Sequence, residues 1–152
     1  MKPIELLSYF HKNLFIPELR ASTKDGALKE IAKCLESSQK VYRSSIIYDL
    51  LKKREGLGST AIGGGVAIPH CRSIAVEKLT VLFALKNKGI DFESADKKPV
   101  KLLFVVIAPP HDMRYLVFLG KLVEFLTDKK IKKMILQVKS FEEFKSLISG
   151  VK

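Results

Sequence analysis

Cysteine is scarce in this chain of 152 residues: Cys34 and Cys71 are the two present, and they do not form a Cys-x-x-Cys pair. Two cysteines are too few for a disulfide framework, so we expect both to be reduced thiols in a cytoplasmic protein. The three histidines, His11, His70 and His111, lack the close spacing of metal ligands. We therefore expect no metal site.

Long apolar runs are also missing. The longest, residues 102–110, is far shorter than the roughly 18 residues that a membrane-spanning helix needs. Residues 1–7 have neither the apolar core nor the small-residue cleavage site of a signal peptide. From these absences we expect no membrane span, no targeting segment and a cytoplasmic location.

Negative charge is in short supply. The chain has 27 Lys and Arg against 16 Asp and Glu, a formal net charge of +11. Such a balance suits a nucleic acid, an anionic membrane, an acidic protein or a phosphorylated ligand. The densest cluster, residues 129–133, has the spacing of one solvated helix face, and no aromatic residues are interleaved to stack on bases. We therefore expect a lysine-rich solvated surface and no nucleic-acid partner.

What the chain does have is the composition of a globular protein, with 47% hydrophobic and 28% charged residues. Its length predicts one domain over residues 1–152. In the first half, Ser22-Thr23-Lys24-Asp25 has the form of a capping box, and a second helix is expected from Ser44 to about Arg54 or Glu55. The positions expected to be buried are Ala27, Leu28, Ile31, Ala32 and Leu35 in the first helix and Ile46, Ile47, Leu50 and Leu51 in the second.

Strands are predicted in the middle of the chain and helices at its end. Residues 79–85 and 100–107 are apolar and β-branched, like strands buried on both faces, and residues 66–68 form a shorter candidate that stops at Pro69. Residues 86–89 and 96–99 are expected to be loops. The expected inward stripes of the C-terminal helices are Leu116, Leu119, Leu122, Val123 and Leu126; Ile131, Met134, Ile135 and Val138; and, after a capping box at Ser140, Phe141, Phe144, Leu147 and Ile148. The fold class is therefore α/β: a mixed sheet of about four to five strands with helices on both faces.

Residues 56–70 contain five of the nine glycines. Glycines let backbone N–H groups converge on an anion, but glycine richness taken alone is more often explained by a floppy or tightly turned loop. The segment has neither the Gly-Lys-Ser/Thr of a Walker loop nor a Gly-x-Gly-x-x-Gly fingerprint. It ends at His70, whose neutral imidazole could attack a phosphoryl group, with Arg54, Arg72, Thr60 and the glycine backbone as expected donors. The alternative is a histidine with a purely structural role.

The stretch from Arg54 to His70 reads Arg-Glu-x-x-Gly-Ser-Thr-x-Ile-Gly-x-Gly-x-Ala-Ile-Pro-His. It resembles the signature of the fructose/mannitol-type IIA proteins of the bacterial phosphoenolpyruvate-dependent phosphotransferase system, a group that includes the nitrogen-regulatory IIA proteins. Residues 22–28, residues 89–92 and the Leu116-x-x-Leu119 pattern resemble other parts of that family.

The resemblance implies a phosphoryl carrier. His70 would accept a phosphoryl group from a histidine phosphocarrier protein, Arg54 would help to neutralise it, and Thr60 would lie near the same pocket. The phosphoryl group would then pass to the IIB domain of a sugar transporter or persist as a regulatory state. No cofactor is implied.

One position departs from the family pattern. Tyr115-Leu116 stands where the family has a His-Leu pair that supplies a second histidine, and a neutral tyrosine is expected to lower the efficiency of onward transfer. His111 would share a helix face with Tyr115 if residues 111–115 formed one helical turn, and could then take the missing place. The alternative function is a phosphorylation-independent regulatory binding module on the same fold.

Overall fold

A six-stranded mixed sheet forms the centre of the protein, in a computed structural model that describes residues 3–150. The strands are β1 (Phe15–Ile16), β2 (Ala61–Gly63), β3 (Val66–Ala67), β4 (His70–Arg72), β5 (Thr80–Ile90) and β6 (Val100–Ala108). Their order is β1-β5-β6-β3-β2, and β4 pairs with β6 beyond the end of β3. β5 and β6 are antiparallel, as are β2 and β3, whereas β1 runs parallel to β5 and both β3 and β4 run parallel to β6.

Helices cover both faces of this sheet, which confirms the predicted fold class. They are α1 (Pro3–Leu6), α2 (Lys24–Ser37), α3 (Ser44–Gly56), α4 (Arg114–Leu126), α5 (Lys129–Ile135) and α6 (Phe141–Ser149), with 3-10 turns at Leu7–Tyr9 and Lys12–Leu14. Within residues 3–150, no helix combines the length and the apolar character needed to cross a membrane.

Strands β5 and β6 are apolar on both faces because each face contributes to a separate hydrophobic core. Phe83 and Phe104 stack with ring centroids 4.6 Å apart on the side covered by α4, α5 and α6. Their neighbours Leu82 and Leu103 point to the side covered by α2 and α3. Burying one such side chain stabilises the fold by about 1.5–3 kcal/mol, so these paired strands contribute strongly to both cores.

Helices α2 and α3 differ from their predictions at two points: the N-cap of α2 and one exposed residue of α3. Thr23, not Ser22, caps α2: its hydroxyl accepts a hydrogen bond from the Gly26 amide at 3.1 Å, because the helix begins one residue later than expected. The buried positions of α2 are confirmed. In α3, Ile47 and Leu51 are buried four residues apart, whereas Ile46 is 41% exposed, so the prediction that Ile46 is buried was wrong.

The strands also extend further than predicted. Residues 86–89 belong to β5 rather than to a loop; the pairing of β5 with β6 is irregular there, and Gly89 takes a positive φ of 81°. After the candidate strand at residues 66–68, which stops at Pro69, His70 opens a further strand, β4, that was not predicted. Pro69 interrupts the segment because it has no N–H to donate, although its carbonyl accepts from the Val106 amide at 3.0 Å.

The helices of the C-terminal third were predicted correctly, but some of the residues expected on their buried faces are exposed. The buried residues of α4 are Tyr115, Phe118, Leu122 and Leu126, so the expected inward position of Leu116 was wrong; it is 68% exposed. In α5, Met134 is likewise exposed, while Ile131 and Ile135 are buried as expected. Ser140 caps α6 as predicted, accepting from the Glu143 amide at 3.1 Å.

Candidate active site around His70

His70 is half-buried at the start of β4, in register with Val106 of β6. Its Nδ1 lies 2.7 Å from the carbonyl oxygen of Ile68. A carbonyl only accepts hydrogen bonds, so Nδ1 carries the proton in the neutral ring and Nε2 keeps a free lone pair. The local chain thus fixes the tautomer that leaves Nε2 as a nucleophile.

Tyr115 lies beside His70, with ring centroids 6.1 Å apart. Only 5% of Tyr115 is exposed. Burial raises the pKa of its hydroxyl well above the ordinary value, and the charges of Arg72 and Arg54 only partly oppose this effect. The hydroxyl is therefore neutral near pH 7 and can donate a hydrogen bond.

Arg72 organises the loop that leads to Tyr115. Its guanidinium stacks 4.5 Å from the centre of the Tyr115 ring. Its Nη1 also donates to the carbonyl oxygens of Pro109, Pro110 and Asp112 at 3.3, 2.9 and 3.2 Å. Arg72 therefore joins β4 to the loop before α4, in addition to placing positive charge near His70.

Arg54 approaches the same site from the end of α3. Its Nη1 donates to the Gly58 carbonyl at 2.8 Å, and its side chain is half-buried. Its charge acts on the Tyr115 hydroxyl. Two guanidinium groups, from Arg54 and Arg72, thus contribute positive potential around the His70 and Tyr115 pair.

Thr60 is oriented differently from the expectation that it would serve as a donor to the reacting group. Its hydroxyl donates to the buried Glu55 carboxylate, and its amide donates to the same carboxylate at 3.2 Å. The Lys24 ammonium lies 2.8 Å from Oε2 of Glu55, the oxygen that also accepts from the Thr60 amide. Because the Thr60 carbonyl accepts from the Ile68 amide at 3.1 Å, Thr60 instead supports the segment that holds His70.

Glu55 and Lys24 were not predicted as parts of the site. A charged residue at the end of an otherwise amphipathic helix, followed at once by glycine, was the signal available for Glu55. Lys24 gave no such signal, because it stands among ordinary polar residues at the start of α2 and meets Glu55 only in the tertiary structure.

The glycine run serves the hairpin between β2 and β3 rather than the surroundings of His70. Gly63, Gly64 and Gly65 all have positive φ, and the Gly64 amide donates to the Asp96 carboxylate at 2.9 Å. Hydrogen bonds from Ser94, Gly64 and Lys98 lower the pKa of Asp96 to about 2. A carboxylate of the protein itself therefore occupies the Gly64 N–H group that we expected to be available to a bound anion.

His111 is exposed in the turn before α4. That helix begins at Arg114, so residues 111–115 do not form one helical turn, and the condition under which His111 and Tyr115 would share a face is not met. The role of His111 stays a prediction without that support. Within residues 3–150, no group of three or more His, Cys, Asp or Glu side chains is placed to hold a metal ion.

Cys71 points away from His70, as expected for consecutive residues in a strand. Its side chain packs against the core under α2 and α3. Burial raises the pKa of its thiol to about 12, so it stays protonated. The Cys71 thiol is therefore not placed to react at the His70 side of the strand.

Comparison with known proteins identifies the class as a phosphotransferase-system protein of the IIA type. The model of the family "Phosphoenolpyruvate-dependent sugar phosphotransferase system, EIIA 2" matches residues 8–151. The fructose-specific EIIA component of Haloferax volcanii is 31% identical over 150 residues, 98% of this chain and 92% of the relative. A nitrogen regulatory protein of Bradyrhizobium diazoefficiens is 38% identical over 122 residues, covering 79% and 78% of the two chains.

A solved structure shows the same fold. The nitrogen regulatory protein IIA-Ntr from Neisseria meningitidis superposes with a TM-score of 0.86 at 28% identity, covering 93% of this chain and 97% of the other. The chain belongs to the EIIA 2 family.

Proposed function

We propose that the protein is a phosphoryl carrier that accepts a phosphoryl group on Nε2 of His70. The observation that carries the proposal is the hydrogen bond from Nδ1 to the Ile68 carbonyl, which leaves Nε2 as the free nucleophile. Membership of the EIIA 2 family supports a role in phosphoryl transfer.

In the transfer step, the Nε2 lone pair forms a bond to phosphorus while the bond between phosphorus and the donor's histidine nitrogen breaks. The electron pair of the broken bond returns to the donor imidazole. The new bond makes the His70 ring more positive, and this charge is shared with the Nδ1–H group. Its hydrogen bond to the Ile68 carbonyl then becomes charge-assisted and stronger, which stabilises the phosphorylated state.

Positive groups suit the charge of the moving phosphoryl group, which is spread over its oxygens. Arg54 and Arg72 supply cationic charge on this side of the molecule. The neutral Tyr115 hydroxyl can donate one hydrogen bond to a phosphoryl oxygen but adds no charge. Onward transfer is therefore expected to be slower than in a protein with histidine at this position.

Large hydrophobic residues are exposed within a few sequence positions of the site residues. Among the large exposed hydrophobic residues, those adjoining Arg54, Arg72 and Tyr115 in sequence are Leu57, Ile74, Met113, Leu116 and Val117, which are 58–88% exposed. Exposed apolar residues clustered around a charged centre are typical of a protein-docking surface. We propose a histidine phosphocarrier protein as the donor and a IIB domain or a regulated protein as the acceptor.

Of the relatives, one is named a fructose-specific EIIA component and another a nitrogen regulatory protein. The second candidate function is a regulatory module that binds its partner without phosphorylation. The departure at Tyr115 favours it, because a carrier that transfers poorly can still bind.

Intact-mass spectrometry tests the first candidate. The protein is incubated with phosphoenolpyruvate, the general phosphotransferase enzyme and the phosphocarrier protein, and His70→Gln is compared with the matched control His11→Gln, at an exposed histidine outside the site. We expect one acid-labile phosphoryl group on the wild type and the control and none on His70→Gln. A folded wild type that gains no phosphoryl group beside a working IIA protein would overturn the carrier function. Partner binding retained by His70→Gln would then favour the binding module.

A further inference from the structure

A cavity of about 480 Å³ lies away from His70, at the other end of the central strands. It lies between the end of β5, the segment after β1 and the connection from α5 to α6. Lys101 lines it, five residues before Val106, the partner of His70 on β6. At about 3.4 Å per strand residue, the two places are roughly 17 Å apart. The volume falls within the range of small-molecule sites.

The charged residues that line this cavity are mostly basic. Lys86, Lys101 and Lys139 contribute ammonium groups, and Glu18 contributes the one carboxylate. None of the ion pairs formed within residues 3–150 includes Lys101 or Lys139. The cavity therefore carries an excess of positive charge that the protein's own side chains do not neutralise.

Lys86 is the unusual member of this set because only 9% of the residue is exposed. Its Nζ donates to the Leu19 carbonyl at 2.9 Å, while the nearest Glu18 oxygen is 3.9 Å away, beyond hydrogen-bonding distance. Glu18 also accepts from the Asn87 amide at 3.1 Å. An ammonium has three N–H donors, so two of those on Lys86 have no acceptor among residues 3–150.

The remaining wall is mixed: Asn87 and Gln137 are polar, and Pro17, Leu85, Leu136 and Val138 are apolar. Leu85 and Val138 are buried, and Leu136 is 38% exposed. Ammonium groups bind carboxylate and phosphate oxygens as point charges. The leucines and the valine can only pack against an apolar part of a ligand. A ligand that satisfies both parts of the cavity needs at least two negative charges and an apolar portion.

We propose that this cavity binds a small organic anion: a dicarboxylate or a phosphate monoester that carries an apolar group. This site is separate from His70 and does not depend on the phosphoryl chemistry proposed above.

Isothermal titration calorimetry of the full chain tests the proposal at constant ionic strength and pH 7.5. The probes are phenyl phosphate, phthalate and inorganic phosphate. Phenyl phosphate and inorganic phosphate carry similar charge, but only the first has an apolar part. Phthalate distinguishes a carboxylate ligand from a phosphate ester.

Two double variants separate the cavity from the general charge of the surface. Lys101→Gln with Lys139→Gln removes two cavity cations, and Lys129→Gln with Lys133→Gln removes two exposed lysines of α5. Lys86 is left intact because it also ties β5 to Leu19.

We expect saturable binding of phenyl phosphate or phthalate, at least tenfold tighter than inorganic phosphate. The cavity variant should weaken it at least tenfold and the α5 variant less than twofold. Equal weakening in both variants would reduce the effect to general surface charge and overturn the proposal. So would the absence of saturable binding, or binding of inorganic phosphate as tight as that of the organic probes.

Discussion

Glu55→Gln tests whether the buried ion pair beside the site stabilises the fold. The Glu55 carboxylate accepts from the Thr60 hydroxyl, from the Thr60 amide and from Lys24, 2.8 Å away. A glutamine in the same place can keep these contacts, with its oxygen accepting from the Thr60 amide and Lys24 and its NH₂ group donating to the Thr60 hydroxyl. It carries no charge, however, so the Lys24 ammonium loses its buried counter-ion.

The expected cost follows from these contacts. Removing one partner of a buried ion pair costs about 3–5 kcal/mol, because the other charge is left without its counter-ion. Lys24 keeps Glu93 at 3.8 Å, the Phe92 ring at 5.0 Å and some contact with water, since its side chain is 17% exposed. These reduce the expected loss of unfolding free energy to about 3 kcal/mol.

The assay is urea denaturation followed by circular dichroism, in a double-mutant cycle with Lys24→Met. That variant alone should cost about 2 kcal/mol, and the double variant should cost less than the sum by about 1–2 kcal/mol, because neither charge is then left unpaired. Glu93→Gln is the control: its side chain is 78% exposed, so the change should cost less than about 0.5 kcal/mol. Strict additivity, or a cost for Glu55→Gln no larger than the control's, would refute the reasoning.

Three further predictions concern other parts of the fold. In urea titrations, Gly89→Ala should lower the unfolding free energy by about 1–3 kcal/mol, because φ is +81° and the new Cβ would lie 2.6 Å from the Pro99 Cβ. The control Gly120→Ala, at an open position of α4, should be neutral or stabilising. The Cys71 thiol, with its pKa near 12, should react with iodoacetamide at pH 8 far more slowly in the native protein than in urea; equal rates would contradict its burial. Asp96 has a pKa of about 2 in the folded protein against 3.8 for the free group, so its stabilisation of the Gly64 turn is complete above pH 3.8 and is lost as the pH falls through 2. The NMR chemical shift of the Gly64 amide should follow that titration. An apparent pKa near 3.8 would contradict the hydrogen bonds described.

The fold class could be predicted because hydrophobic periodicity and helix caps depend on residues that are close together in the sequence. The central strands are apolar on both faces, and α2 and α6 carry clear stripes behind a Thr or Ser cap. The inward face of α4 was misjudged because leucines occupy both its buried and its exposed sides. Phe118 and Tyr115, which are buried, alternate with Leu116, which faces solvent beside the site.

The site was predictable only in part, for a similar reason. The position of His70 followed from its motif, but its tautomer depends on a carbonyl two residues away that only the folded backbone places. Thr60 lies next to the histidine segment, yet its hydroxyl bonds to Glu55, a pairing that depends on how α3 meets β2. Lys24 reaches the same carboxylate from a distant part of the chain, and no local pattern encodes that contact.

The three hydrogen bonds from Arg72 to the loop at residues 109–112 limit how this region can change in evolution. One side chain sets the path of the loop and stacks on Tyr115 at the beginning of α4. An insertion or deletion there would move the residue opposite His70 as well as the loop itself. Exchanges between this protein and its relatives should therefore transfer position 72 together with residues 109–115 as a single unit, because either half alone would separate the aromatic ring from the arginine that holds it.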